Sequence, residues 1–173
     1  MTTKTGGLIL GLAVGAIMAL APAAQAQQAT ELGTFNAWTA WKATDASGVI
    51  CYVSATPTKS EPAGVNRDPI HFMIIHRKGM GTKNEVQTII GYPYNTSNAK
   101  ASAAVDGKSY PMVTEGAAAW LASTGDESGF VAAFKGGSNL VVRGTSQRGT
   151  NTIDTYSLSG ATAAVNAIDA ACK

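Results

Sequence analysis

The sequence predicts a mainly β domain with short helices, preceded by a segment that directs export. Short runs of alternating apolar residues are separated by turns rich in glycine, proline and asparagine. Helical periodicity is confined to two stretches near the C-terminal end. The first 26 residues have the composition of a secretory signal, and removing them from 173 leaves 147. A chain of this length forms one domain, predicted to span residues 27–173, with a sizeable core.

Residues 1–26 contain the three parts of a secretory signal. Lys4 gives a short basic start, residues 7–20 are uncharged and apolar, and Ala24 and Ala26 have the small-x-small spacing that signal peptidase recognises. A spanning helix needs about 20 apolar residues, and this run is shorter. We therefore predict cleavage after Ala26 and no membrane anchor in the mature protein.

The charge of the chain indicates an ordinary solvated surface. The precursor has 13 basic and 11 acidic side chains, so losing Lys4 leaves 12 against 11. The longest basic run is Arg77-Lys78, whereas a nucleic-acid-binding protein is expected to show a basic stripe or patch. Binding to nucleic acid is therefore not predicted.

Alternating apolar residues and turn signals predict strands connected mainly by hairpins. After a loose polar leader at 27–33, the predicted strands are 35–42, 49–55, 70–77, 85–91, 101–105, 108–113, 140–145 and 150–158. The predicted turns include 45–48, the glycine-rich segment 78–84 and Asp106-Gly107. Residues 56–67 are expected to form a long exposed loop because they combine two prolines, a glycine and several charges.

Two helices are predicted near the C-terminal end. The first follows a capping box at Thr124 and Glu127 and stops at Gly136. Its apolar face consists of Phe130, Val131 and Phe134. The second covers 161–173, with Ser159 as a possible N-cap. Its apolar stripe consists of Ala161, Ala164, Val165, Ile168 and Cys172.

Cys51 and Cys172 are the only cysteines in the chain. Cys51 shares a strand face with Val49 and Val53, and Cys172 lies on the stripe of the last helix, so both sulfurs are predicted to be buried. An even number of cysteines in an exported chain predicts a disulfide. There is no C-x-x-C motif, so we predict a structural bond rather than a redox centre.

The residues do not assemble a recognisable catalytic or metal site. His71 and His76 are five residues apart, which places them on opposite faces of a strand. We expect His71 at the sheet surface and His76 at the exposed end of the strand. No G-x-S-x-G motif occurs, and Asp126-Glu127 is explained by helix capping. We predict no catalytic residue, metal ligand or cofactor, although serines are too numerous to rule out a Ser-His-Asp site.

Trp38 and Trp41 are three residues apart, so one should face the core and the other the outside of the sheet. An outward tryptophan can anchor a binding partner or pack beneath a loop or helix. Both alternatives stay open at this point.

Several segments together resemble the invasion-associated locus B family of exported alphaproteobacterial proteins. They are W-T-A-W-K at 38–42, the strand with Cys51, K-S-E-P-A-G-V-N-R at 59–67, N-E-V-Q-T-I-I-G-Y-P-Y at 84–94, the D-G-K hairpin at 106–108, A-W-L-A at 119–122, R-G-T-S-Q-R-G-T-N-T-I-D-T-Y-S-L-S-G at 143–160 and the terminal Cys172-Lys173. These segments cover nearly the whole mature chain in the family's order.

The resemblance implies an immunoglobulin-like β-sandwich with short appended helices, including a C-terminal helix held by a disulfide. Cys51 and Cys172 match the family's cysteine positions, whereas no enzymatic activity and no catalytic residues carry over. The family's name derives from erythrocyte invasion by a pathogen, and relatives also occur in bacteria that invade nothing.

Three functions are therefore weighed. The first is a non-enzymatic periplasmic or secreted protein that binds a protein partner, of the envelope or of a host, or supports the cell envelope. Its candidate contact loops are 56–67 and 91–99. The second is a host-cell invasion factor. The third is a small-ligand carrier or unrecognised hydrolase, which would need a pocket with His71 or His76 near a carboxylate.

Overall fold

The structure is a computed structural model that describes Thr2 and residues 28–173. The predicted signal and its cleavage residues, Ala24 and Ala26, lie outside the described residues. Within the described part, no helix is long and apolar enough to cross a membrane.

Eleven strands and two α-helices form the described part of the chain. The strands are β1 (Thr30–Phe35), β2 (Trp38–Asp45), β3 (Gly48–Ala55), β4 (Lys59–Glu61), β5 (His71–Arg77), β6 (Thr82–Ile89), β7 (Ser102–Val105), β8 (Lys108–Glu115), β9 (Ala118–Leu121), β10 (Asn139–Thr145) and β11 (Asn151–Ser157). The helices are α1 (Glu127–Gly136) and α2 (Ala161–Ala171), and short 3₁₀ turns cover Lys78–Met80 and Thr124–Asp126.

The strands form one antiparallel sheet in the order β1-β2-β3-β5-β6-β9-β8-β7-β10-β11-β4. Trp38 of β2 and Tyr156 of β11 lie near opposite ends of this order, yet their rings stack with centroids 6.5 Å apart. The Trp38 indole N–H also donates to the carbonyl of Ser157 at 2.9 Å. The sheet therefore folds over, and its two halves face each other across one core, with β8 shared by both.

Helix α1 contributes aromatic side chains to this core. Phe130 and Phe134 are fully buried, and both stack on Phe72 of β5. Trp38 meets Phe134 edge-on, with ring centroids 4.7 Å apart. Such pairs each add about 0.5–1.5 kcal/mol beyond burial of area. The apolar face predicted for this helix is confirmed, and so is the mainly β class with its two short helices.

The Asp106-Gly107 hairpin is confirmed and has a second role. Both residues have positive φ, 45° and 89°, as a tight turn between β7 and β8 requires. The Asp106 carboxylate also accepts hydrogen bonds from the backbone N–H groups of Ser138 and Asn139, each at 2.9 Å. This side chain therefore joins the hairpin to the start of β10.

Two predicted loops contain strands. The leader predicted at 27–33 contains most of β1, which pairs with β2 after a tight turn at Asn36, where φ is 52°. The predicted loop 56–67 includes β4, which pairs with β11 at the opposite edge of the sheet. Strand β9 was also missed. The two edge strands, β1 and β4, are short and mostly polar, so they lack the apolar alternation on which the strand predictions depended.

The predicted N-caps of both helices are wrong, whereas the predicted start of the second helix at Ala161 is confirmed. Residues Thr124–Asp126 form a 3₁₀ turn, and no side chain caps the N-terminus of α1. Gly160, with φ of 88°, is the N-cap of α2, and Ser159 is not. A Cβ at Gly160 would lie 1.9 Å from the carbonyl oxygen of Phe35, so contact with β1 requires glycine here.

Candidate functional site

The disulfide predicted between Cys51 and Cys172 is confirmed. The two Cα atoms are 6.0 Å apart and 121 residues apart in sequence. Cys51 is fully buried on the inner face of β3, and Cys172 lies half-buried immediately after α2. The bond therefore fastens the end of the C-terminal helix to the sheet.

His76 lies beneath this helix, not at an exposed strand end as predicted. It pairs with Cys51 across the β3–β5 ladder, so it faces inward and is only 4% exposed. His71 is half-buried on the opposite, outer face, as predicted. The prediction for His76 failed because α2 folds back over the end of β5 and covers it.

Both ring nitrogens of His76 form hydrogen bonds within the fold. Its Nδ1 accepts the backbone N–H of Asn84 at 3.2 Å, so its Nε2 carries the proton donated to Asp169 at 3.1 Å. Asp169 also contacts Lys83 at 3.0 Å and Lys135 at 3.8 Å. Burial raises the pKa of Asp169, but the hydrogen bonds from Lys83 and His76 outweigh it and hold that pKa below its usual value.

A hollow of about 250 Å³ is lined by His76, Asp169 and Cys172. A hydrolase was predicted to need a pocket with His71 or His76 near a carboxylate, and His76 lies beside Asp169 in this hollow. A nucleophile needs a free ring nitrogen as its base, however, and both nitrogens of His76 are engaged by Asn84 and Asp169. Among the described residues, no three His, Cys, Asp or Glu side chains are grouped to hold a metal ion.

A larger pocket, of about 460 Å³, lies where three loops meet at one end of the sheet. We call it the loop pocket. It is lined by Val65, Asn66, Arg67, Asp68, Gly91, Tyr92, Pro93, Ser146, Gln147, Arg148, Thr150 and Thr152. The two predicted contact loops, 56–67 and 91–99, both contribute to it, and the β10–β11 turn supplies the remaining wall.

A buried ion pair forms the base of the loop pocket. The Arg67 guanidinium donates to both carboxylate oxygens of Asp154, at 2.8 and 2.6 Å, and to the carbonyl of Ile90. The two side chains are 6% and 0% exposed. Arg67 also lies 5.0 Å from the centre of the Tyr92 ring, whose hydroxyl is 2.6 Å from that of Thr152. Both the charge and the ring are therefore held in place.

Two glycines allow the pocket walls to approach each other. Gly91 has φ of 78°, and a Cβ there would lie 2.3 Å from the carbonyl oxygen of Asp68. A Cβ at Gly144 would lie 2.6 Å from Tyr94 and 2.9 Å from the Tyr92 hydroxyl. Two backbone segments therefore approach closely at Gly91, and the side chains of Tyr94 and Tyr92 pack directly against the backbone at Gly144.

The outer face of one half of the sheet is rich in apolar side chains. Strand pairing places one row of outward residues across six strands: Thr39, Ser54, Met73, Gln87, Trp120 and Val113. The neighbouring row contains Trp41, Tyr52 and Ile75. We call these two rows the aromatic face.

Trp41 and Tyr52 stack on the aromatic face with ring centroids 6.3 Å apart, and the Trp41 indole donates to Ser54 at 3.0 Å. Trp38 is fully buried on the other side of the sheet, so the prediction of one inward and one outward tryptophan is confirmed. The buried side chains of α1 and α2 all belong to the core, so neither helix covers the aromatic face.

These features define a class of protein: a β domain with its C-terminal helix tied by a disulfide, bearing a preorganised pocket and an apolar outer sheet face. The chain belongs to the family described as invasion associated locus B (IalB) protein, whose family model matches residues 38–169. That match runs from β2 into α2 and confirms the predicted resemblance. Searches of the curated proteins and of the solved structures found no match.

Proposed function

We propose that this protein is an exported, non-catalytic binding protein that docks a protein partner on its aromatic face. The observation that carries the proposal is the chemistry of that face. The outer side of an antiparallel sheet is normally polar, whereas here it carries two tryptophans, a tyrosine and a methionine, all half-buried, and Val113, which is 54% exposed. Aromatic residues and methionine are enriched at protein interfaces.

Export is supported by the signal-like composition of residues 1–26 and by the disulfide. Such bonds persist in oxidising compartments and are rare in the bacterial cytosol. We place the protein in the periplasm or outside the cell. We infer that the partner is a protein of the cell envelope, because none of the described contacts favours a host target.

The absence of catalysis is proposed from the two nitrogens of His76, which are both engaged by other groups. The loop pocket contains no histidine, and its arginine at the base is paired with Asp154. Neither hollow therefore offers a free histidine nitrogen that could activate a hydroxyl or thiol.

The test is crosslinking in cells, with a tagged copy of the full chain and mass spectrometry of the captured proteins. Val113→Glu places a charge beside Trp120, on the most exposed apolar residue of the aromatic face, and should abolish capture of the partner. Val65→Glu is the matched control, because Val65 is 42% exposed but lies in the loop pocket. Equal capture by both variants, or no reproducible partner for the unmodified protein, would refute the proposal. Crosslinks between two copies of this chain that disappear in Val113→Glu would identify a second copy as the partner.

A further inference from the structure

We propose that the loop pocket is a binding site for a neutral oligosaccharide. This inference goes beyond the proposed function, because it concerns a different surface and a different class of ligand. The pocket volume of about 460 Å³ lies within the range of about 300–1,000 Å³ typical of sites for small ligands.

The charges of the loop pocket favour a ligand with no net charge. Arg67 makes four hydrogen bonds to Asp154 and Ile90, so its charge is already compensated. The other two charged residues of the lining are Arg148 and Asp68, which have opposite signs and form no ion pair with any described residue. The lining therefore has no excess charge of either sign to select an anion or a cation.

The uncharged polar groups of the lining suit hydroxyl groups. The amides of Asn66 and Gln147 both donate and accept, as do the hydroxyls of Ser146 and Thr150. A sugar hydroxyl also donates and accepts, so each can pair with any of these groups. An anion would use only their donors and leave the acceptors unpaired.

An aromatic ring and its apolar neighbours supply the second element of sugar recognition. A pyranose ring has an apolar C–H face and a hydroxyl-bearing edge, which match a rigid ring surrounded by polar groups. Tyr92 is held by Arg67 on one face and by Thr152 at its hydroxyl, and Pro93 and Val65 add apolar groups to the same lining. Because these groups are already ordered, binding loses little side-chain entropy.

The inference is tested on a glycan array with protein purified from cells that express the full chain. We expect binding to neutral oligosaccharides and not to uronic-acid or sulfated ones. The best neutral ligand is then titrated by calorimetry, with trialanine as the peptide comparison. Binding of anionic glycans alone, binding of no glycan, or equal affinity for trialanine would overturn the inference.

Variants assign the binding to the loop pocket. The double variant Asn66→Ala/Gln147→Ala should weaken the best neutral ligand by about tenfold or more, because it removes two hydrogen-bonding side chains. Its matched control is Asn98→Ala/Gln28→Ala, which changes the same residue types at exposed positions outside the pocket lining and should alter affinity by less than about twofold. Equal weakening by both pairs would overturn the assignment.

The protein-docking proposal and the sugar-binding proposal can be refuted independently of each other. Val113→Glu should lose protein crosslinks and keep glycan affinity, whereas Asn66→Ala/Gln147→Ala should do the opposite. Partner capture without any glycan binding would refute the sugar site alone. Glycan binding without partner capture would refute only the function proposed for the aromatic face.

Discussion

Removing the Cys51–Cys172 bond is expected to cost this protein a large part of its stability. The bond joins residues 121 apart, and the loop-entropy relation for that length gives about 5 kcal/mol at 25 °C. Small domains are stable by only about 5–15 kcal/mol, so the loss is a third of the total or more. The perturbation is Cys51→Ala/Cys172→Ala, which leaves no unpaired thiol.

The assay is equilibrium unfolding in guanidinium chloride. For a domain of this size the slope is about 4 kcal/mol per molar denaturant, so the midpoint should fall by about 1.2 M. Chemical reduction of the unmodified protein is the control, because it breaks the bond without changing the side-chain carbons. Both treatments should lower the midpoint by similar amounts.

Hydrogen exchange locates the effect within the fold. Because the bond fastens the end of α2 to β3, the backbone amides of Ala161–Ala171 should lose protection before those of the central strands. A loss of less than about 1 kcal/mol in both treatments would refute the loop-entropy argument. Unchanged protection of α2 would show that helix packing alone holds it.

Three further predictions follow from the pocket and from α2. Arg67→Ala should lower the free energy of unfolding by about 3–5 kcal/mol, measured in denaturant, because it leaves the buried Asp154 carboxylate without its partner. The double variant Arg67→Met/Asp154→Leu removes both charges and should lose less stability. A greater loss in the double variant than in Arg67→Ala would contradict this account. Gly91→Ala should lower the melting temperature more than Gly149→Ala, since both have positive φ but only Gly91 abuts another backbone; equal losses would show that close approach is unimportant. The pKa of Asp169 lies below its unfolded value of 3.8, so the stabilisation from its ionised form is present above about pH 4 and is lost as pH falls through the folded pKa. The variant Asp169→Asn should therefore show a weaker fall in melting temperature between pH 6 and pH 2 than the unmodified protein. An equally steep fall in both would contradict this account.

Local patterns predicted much of the fold. The Asp106-Gly107 turn, the Phe130 face of α1 and the stripe of α2 depend on residues close in sequence, so their periods and turn chemistry were visible. The Cys51–Cys172 bond could be predicted for a different reason, because two cysteines allow only one disulfide.

The candidate sites were only partly visible. Residues 56–67 and 91–99 were predicted as candidate contact loops, and the structure shows that both help to line a pocket, but the Arg67–Asp154 pair that joins one of them to β11 was not predicted. The two members of that pair are 87 residues apart, and neither is marked by a motif. The sequence predicted that Trp41 and Tyr52 lie on two strands with apolar side chains on both faces, but it did not assign Trp120 to any strand.

The sequence by itself determined the class of the domain, its turns and helix faces, its disulfide and its family, because these depend on short-range periodicity, composition or ordered motifs. Only the tertiary structure decided that His76 is buried under α2, that distant strands bring Trp41 and Trp120 to one outer face, and that three loops enclose a pocket. Those outcomes depend on which strands pair and how far the sheet folds over. Pairing is set by the packing of the whole core, and no local stretch of sequence contains that information.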